Sequence, residues 1–248
     1  MRGALAAELF KLRTTRTSWG VIGGSIALVV IISLIAALAG DFDGTGDPPG
    51  PDLMEISGLV QIFGLVLGIL IVATEFRHGT ITPSLLAVPD RVQLVLAKLI
   101  AALVAGLLLG LIATALCAAI IFPILSARDV DAGGSTSEVI ELILGNGAAS
   151  ALFAALGVGL GALIRNQVGA IIGALGWLFL VEPLLTIIPG FEDVLTKWFP
   201  SGAATETAGT SGNEDALGQL PAGLLLAAYT ALFIVAGIAA IRRRDISA

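Results

Sequence analysis

Few side chains in this sequence have the types and spacing that catalysis requires. The chain contains one histidine, His78, and one cysteine, Cys117, so neither a His- or Cys-based metal site nor a Ser-His-Asp triad is expected. None of the three lysines follows a glycine in a G-x-x-x-x-G-K-[ST] pattern, so no phosphate-cradling loop is expected. The sequence therefore predicts no catalytic residue, no metal and no cofactor within this chain.

Two features remain as candidates for function. Glu182 is the one acidic residue inside its apolar run, and Pro183 follows it. The second feature is residues 75–98, which interrupt two long apolar runs with several charges, a glycine and two prolines. The position of both features in the fold depends on where the apolar runs lie.

The composition is that of a chain whose solvent is lipid. Hydrophobic residues make up 56% of the chain and charged residues 13%, and the mean hydropathy is +0.99, whereas soluble domains carry about 25% charged residues. A window of about 19 residues detects six spans. We therefore predict an all-α membrane protein, one transmembrane domain over 1–248, with spans near 19–39, 56–74, 99–125, 142–164, 168–190 and 220–241.

The basic residues predict the orientation. Of the 13 Lys and Arg residues, 11 lie in the two termini, the loop 75–98 and the turn at Arg165. Basic residues concentrate on the cytoplasmic side, so both termini and the loop 75–98 are expected there, and residues 40–55 and 191–219 outside. Glu182 then lies about 21 Å from the cytoplasmic side, where it forms either part of a substrate path or gate, or a structural carboxylate.

The loop 75–98 has the sequence of two helix starts. Gly79 permits a positive φ and hence a sharp turn, and Thr82 before Pro83 is typical of an N-cap with a first-turn proline. Asp90 is expected to cap the third span, with Gln93 as its capping-box partner. Ile81, Leu85 and Leu86 would form the apolar face of a short helix; a plain turn with solvated charges is the alternative.

Two further segments have recognisable patterns. In residues 1–17, Leu5, Leu9 and Leu12 recur at helical spacing beside basic residues, which predicts an N-terminal amphipathic helix on the inner leaflet. In 191–219, aromatic and aliphatic residues recur at helical spacing, and the following Ser/Gly/Thr-rich stretch is expected to be flexible. GxxxG pairs such as Gly64/Gly68 and Gly157/Gly161 indicate general close packing of helices.

The loop carries a family resemblance. "EFRHGTITPSLLAVPDR…K" resembles the E-x-R-x-G-T-I…LL…P-x-R…K signature between the second and third spans of ABC exporter permeases of the type-2 (ABC-2) class. "ALAAELFKLRTTRTSW", "LIRNQVGAIIGALGW" and "IRRRDISA" resemble the first helix, the turn between spans four and five, and the C-terminal ending of that family. Pro83 departs from the pattern, because the family more often has a charged or large residue there.

The resemblance implies a non-catalytic subunit of an ATP-driven exporter in a bacterial cytoplasmic membrane. Such permeases have six spans and work as dimers, with a second copy or a homologue, and two separate ATPase subunits hold the ATP and Mg. A coupling helix in the loop docks on the ATPase, and the N-terminal helix flanks it. Glu75, Arg77, Gly79 and Thr80 match the motif position by position. Short outer helices would cap the exit, and no nucleic-acid partner is implied.

The substrate cannot be read from the residues, since the family handles drugs, peptide antibiotics, lipids, polysaccharides and ions. Two other classes of protein fit the composition. An ion-coupled secondary carrier would need charges in several spans and broken helices in matched halves, and the predicted spans contain Glu182 alone. A non-transport membrane sensor or scaffold is the other. A neighbouring gene for a P-loop ATPase would favour the exporter.

Overall fold

The computed structural model describes residues 1–42, 48–188, 190–210 and 217–243. All the regular secondary structure in these ranges is helical. The helices are α1 (Arg2–Thr14), α2 (Arg16–Ala39), α3 (Gly50–Met54), α4 (Leu59–Arg77), α5 (Ile81–Ala87), α6 (Arg91–Ala127), α7 (Thr136–Ile164), α8 (Gln167–Gly176), α9 (Glu182–Leu185), α10 (Glu192–Trp198), α11 (Pro200–Ala208) and α12 (Gln219–Arg243).

Within the described ranges, six helical segments are long and apolar enough to cross a membrane. The predicted all-α class with six spans is therefore confirmed. A 3-10 turn at Glu55–Gly58 joins α3 to α4, and a π-helical turn at Trp177–Val181 joins α8 to α9. The first to sixth spans are α2, Gly50–Arg77, α6, α7, Gln167–Leu185 and α12.

The helices of the third and fourth spans extend beyond the predicted apolar runs because polar residues cap them early. The third begins at Arg91, since the Asp90 carboxylate accepts from the backbone N–H of Val92 at 2.9 Å and of Gln93 at 3.3 Å. This helix also continues through Pro123 to Ala127. The fourth begins at Thr136, after a capping box that the sequence analysis did not identify.

The fifth span changes its helical winding near its C-terminal end. The π-helical turn Trp177–Val181 lies directly before Glu182 and Pro183. Proline lacks an N–H and its ring clashes with the carbonyl of the residue four positions earlier, here Phe179. A wider turn at this point removes that clash, so the disturbance expected from Pro183 takes the form of a π-helical turn.

The segment between the fifth and sixth spans is more helical than the sequence suggested. The stretch that begins at Ser201 was expected to be flexible, but residues up to Ala208 form α11, with Ala203, Ala204 and Ala208 fully or almost fully buried. The reason is their size, because alanine lets a short helix pack closely against α7 and α12. Residues 211–216 of the predicted flexible stretch lie outside the described ranges.

The fourth span is the centre of the bundle. Of its most apolar stretch, 72% is buried, compared with 22% for the first span and 11% for the fifth. Glycines permit this packing: a Cβ at Gly68 would overlap the carbonyl oxygen of Ala154, and one at Gly157 that of Leu65. These GxxxG glycines thus serve close packing within the chain, as the spacing indicated.

Candidate functional site

Four charged side chains meet in a cluster at one end of the bundle: Glu8, Lys11, Glu75 and Lys98. The Lys98 ammonium lies 3.0 Å from a Glu8 carboxylate oxygen and 2.7 Å from Glu75 Oε1. Lys11 lies 2.8 Å from the other Glu8 oxygen and 2.6 Å from the same Glu75 oxygen. Two positive and two negative charges therefore balance within one group, which we call the four-charge cluster.

Three members of this cluster are buried. Lys98 is 1% exposed, Glu8 3% and Glu75 6%. The third donor of the Lys98 ammonium reaches the carbonyl of Ile71 at 3.3 Å, so all three of its N–H groups have acceptors. Buried charges persist only when they are paired and hydrogen-bonded in this way.

Lys11 lies at the rim of the cluster, with 45% of its side chain exposed. Partial burial lowers the pKa of Lys11, but hydrogen bonds and attraction from Glu75 and Glu8 outweigh it, so the pKa is raised. The pKa of Lys11 is therefore higher in the folded than in the unfolded chain, and its ion pairs contribute fully to folding stability at neutral pH. That stability is lost only in strong alkali, as the pH rises through the raised pKa.

The four-charge cluster joins three elements that are far apart in sequence. Glu8 and Lys11 belong to α1, Glu75 lies near the end of the second span, and Lys98 lies near the start of the third. The intervening loop is therefore held at both ends by the same group of charges.

The loop turns at Gly79 and then forms the short helix α5. Gly79 has a φ of +67°, which confirms the predicted turn, and the N–H of Thr80 donates to the Glu75 carbonyl at 2.9 Å. The predicted N-cap at Thr82 is wrong, because α5 begins at Ile81 with Thr80 before it. Pro83 consequently occupies the third helical position, where an N–H still needs no partner within the helix.

Two apolar side chains of α5, Ile81 and Leu86, differ sharply in exposure. Ile81 is 5% exposed and anchors the helix to the permease, whereas Leu86 is 79% exposed. Ile81 is thus buried within the chain itself, contrary to the expectation that it belongs to a face left free for a partner. The Leu85 side chain lies outside the described part of the structure. Leu86 is the large apolar residue that α5 presents to its surroundings.

Arginines tie neighbouring helix ends to this side of the bundle. Arg77 donates to the Gln167 side chain at 3.2 Å, which links the ends of the second and fifth spans. Arg91 donates to the Ile241 carbonyl, and Arg165 to that of Ala240, where cations stabilise the last turn of a helix. The C-terminal end of the sixth span therefore lies on the same side as α1 and the loop.

The leucines of α1 lie on the same helix face as Glu8. Leu5, Leu9 and Leu12 are all half-buried, and α1 packs against α6. This stripe, expected to rest on the inner leaflet, lies partly against the protein and brings Glu8 to the cluster. Phe10 is 66% exposed and points away from that contact.

A second polar group lies inside the bundle, and the sequence analysis missed it. The Asn146 side-chain amide donates towards Thr114 at 2.6 Å and towards the Ser57 hydroxyl at 3.1 Å, and its oxygen accepts from Gln61 at 2.8 Å. All four residues are buried, and they connect the second, third and fourth spans. Amide side chains within apolar helices were the available signal.

We expect Asn146→Leu to destabilise the bundle by about 1–3 kcal/mol, because it leaves the buried polar groups of Gln61 and Thr114 with fewer partners. Thermal unfolding in detergent, followed by circular dichroism, measures the change. Ser150→Ala is the matched control on the same helix, since the buried Ser150 hydroxyl has no hydrogen-bond partner and its removal should leave stability nearly unchanged. Equal melting temperatures for wild type and Asn146→Leu would contradict the prediction.

Glu182 is held by two hydrogen bonds near the opposite end of the bundle. The Trp177 indole N–H donates to Glu182 Oε1 at 2.7 Å, and the Ser201 hydroxyl donates to Oε2. Glu182 is 5% exposed, and the Trp177 ring stacks on Phe199 at 6.1 Å between centroids. Its partners are a tryptophan in the π-helical turn and a serine of α11.

Taken together, six spans, a braced loop on one side and short helices on the other define a polytopic helical permease. The profile of the family described as "ABC-2 family transporter protein" matches residues 52–202, which include the loop, Glu75, Lys98 and Glu182. The chain belongs to this family and is a membrane permease of an ABC transporter. A comparison with curated proteins gives no match.

Proposed function

We propose that this chain forms the membrane pathway of an ATP-driven exporter and binds separate ATPase subunits through the loop between its second and third spans. The observation that carries the proposal is the four-charge cluster. A loop that delivers a nucleotide-driven movement needs a rigid connection to the bundle, and Glu75 and Lys98 provide one on either side of it. The exposed Leu86 then offers the partner an apolar contact.

The assembly we propose is a pair of permease chains with two ATPases, which hold ATP and Mg. The sequence contains no nucleotide-binding motif of its own, and we propose that a partner supplies the energy. The match to the ABC-2 family supports a partnership with an ATPase, and the pairing follows the architecture implied by the resemblance. A second copy or a homologue supplies the other half of the pathway.

The orientation we propose places both termini and the loop in the cytoplasm of a bacterium. Support comes from the distribution of charge across the bundle. The side with the four-charge cluster carries Arg77, Arg91 and Arg165, whereas the opposite side has a hollow of about 380 Å³ lined by the acidic residues Asp52, Glu55, Glu138 and Glu141. An excess of basic residues marks the cytoplasmic side.

Labelling with a membrane-impermeant thiol reagent tests this orientation. In a variant in which Cys117 is replaced by alanine, we expect Thr136→Cys to react from outside the cell and Thr80→Cys to react only after the membrane is permeabilised. Both positions are exposed, so accessibility of the side chain is matched. Reaction of Thr80→Cys in intact cells would contradict the orientation and, with it, the docking of a cytoplasmic ATPase on this loop.

Purification of the tagged permease together with its candidate ATPase from the same cells tests the function itself. We expect a complex of two permeases and two ATPases by mass measurement, and export that stops when ATP hydrolysis is blocked. Transport by the permease alone, driven by an ion gradient, would replace the proposal with a secondary carrier. A stable complex without any transport would indicate a sensor or scaffold.

We further propose that Glu182 contributes to the gate at the outer end of the pathway. We expect Glu182→Gln to fold but to transport at a changed rate, because a neutral amide oxygen accepts from Trp177 or Ser201 more weakly than a carboxylate does. Transport rate and melting temperature are measured together, with Glu141→Gln as the exposed control. Unchanged kinetics at equal expression would leave Glu182 with a structural role.

A further inference from the structure

A cavity of about 540 Å³ lies between four of the spans. Its walls come from the second, fourth, fifth and sixth spans, and the start of α11 adds to the outer end. Six of the lining residues carry the argument: Leu65, Leu156, Leu160, Gly173, Trp177 and Phe233. We refer to this cavity as the inter-span slot.

The inter-span slot offers no free polar group to an occupant. Among its lining residues, all of which the structure describes, only Trp177 and Tyr229 have polar side-chain atoms. The Trp177 N–H is bonded to Glu182 at 2.7 Å, and the Tyr229 hydroxyl to the Trp198 carbonyl at 2.7 Å. Water or a polar ligand in the slot would lose hydrogen bonds without replacement, so the occupant has to be apolar.

The slot opens onto the exposed surface of the bundle. Two of its lining residues, Ile164 and Trp177, are 41% and 44% exposed, and both lie in membrane spans. The fifth span, which forms one wall, is the span with 11% of its apolar stretch buried. Hydrocarbon chains of the bilayer therefore reach the slot laterally and enter it without a desolvation cost.

The dimensions suit one extended hydrocarbon chain. Along the fourth span the lining runs from Phe153 to Ile164, which is about 16 Å of helix and close to half of the roughly 30 Å hydrocarbon core. A helix from a second copy, about 10 Å wide with its side chains, would have to separate the spans to enter. If the slot were empty, the side chains of its walls would lose dispersion contacts on one side.

We propose that the inter-span slot binds a single acyl chain of a membrane lipid. The Trp177 ring forms part of its wall, and Glu182 and Phe199 position that ring from the outer side. Glu182 thus acts on the slot as a positioning residue through Trp177. Occupancy of this site is measurable in the purified permease without an ATPase or a transported substrate.

Photo-crosslinking in nanodiscs tests the proposal. The purified permease is reconstituted in phosphatidylcholine that contains a phosphatidylcholine with a diazirine in one acyl chain. After irradiation, labelled residues are mapped by mass spectrometry. We expect labelling of Leu156, Leu160 or Phe233 within the slot, in addition to Leu232 and Val235, which are 62% and 65% exposed on the outside of the sixth span.

Two matched variants separate the slot from the general lipid surface. Gly173 lines the slot, and a Cβ added there would meet no atom within 4 Å. The ring of Gly173→Phe should therefore fill the slot and lower the ratio of slot labelling to outside labelling at least fivefold. Gly176→Phe makes the same change one turn further along, where the residue does not line the slot, and should leave the ratio unchanged. Leu160→Trp provides a second filling variant if Gly173→Phe is poorly folded. Absence of slot labelling in wild type, or equal ratios in the filling and control variants, would overturn the proposal.

Discussion

Replacing Lys98 with methionine is expected to remove about 3–5 kcal/mol of folding free energy, the usual effect of breaking a buried ion pair from one side. The substitution leaves Glu8 and Glu75 buried, with Lys11 as their shared cation. We expect a lower yield of folded permease and a melting temperature in detergent that falls by several degrees. Limited proteolysis should also cleave after residues of α1, because that helix loses its buried anchor.

Two variants separate the effect of charge from that of side-chain packing. Lys11→Met should have a much smaller effect, since 45% of the Lys11 side chain is exposed and its ion pairs are screened by solvent. Adding Glu8→Gln to Lys98→Met restores a balanced Glu75–Lys11 pair and should recover part of the lost stability. A Lys98→Met protein as stable as wild type would show that the four-charge cluster does not brace the loop.

Leu86→Asp is expected to weaken ATPase binding at least tenfold and to abolish export while the permease still folds. Burial of one leucine at an interface contributes about 1.5–3 kcal/mol, and an aspartate at that position adds a desolvation cost. Leu86 is 79% exposed in the chain alone, so the substitution removes no contact on which folding depends. Retention of the ATPase through affinity purification measures the loss.

Leu220→Asp is the matched control, because Leu220 is 83% exposed at the other end of the bundle, the start of the sixth span. It should leave ATPase retention unchanged. Loss of the ATPase in both variants would indicate a general defect in the permease, and retention in both would show that α5 is not the docking element. Ile81→Asp is unsuitable for this comparison, since Ile81 is buried in the permease itself.

The sequence predicted the spans well because hydropathy reports directly on the solvent around a helix. It predicted the helix ends less well, because these depend on single capping side chains. Asp90 was recognised as a cap, yet the third span was placed at 99–125 from its apolar run, and the helix that contains it starts at Arg91. Thr82 resembled a cap locally, but the turn at Gly79 starts α5 earlier.

The four-charge cluster could be predicted only in part. Glu75 was identified from its motif, and Lys98 is the final lysine of the same motif, whereas Glu8 was not singled out from the sequence. Periodicity within one helix cannot show that residues 90 positions apart in sequence will meet. One local sign was present, since Glu8 lies on the same helix face as Leu5, Leu9 and Leu12, where a solvated acid would not be expected.

From the uneven packing of the spans we expect the fifth span to move more readily than the second, third and fourth. The second, third and fourth spans share glycine contacts at backbone distance and the buried Asn146 group, so a relative shift among them would break hydrogen bonds inside hydrocarbon. The fifth span shares little buried surface with them. Distances between spin labels on the second and fourth spans should therefore stay constant under conditions that change distances to the fifth, and thermal fluctuations of the isolated chain should concentrate in that one helix.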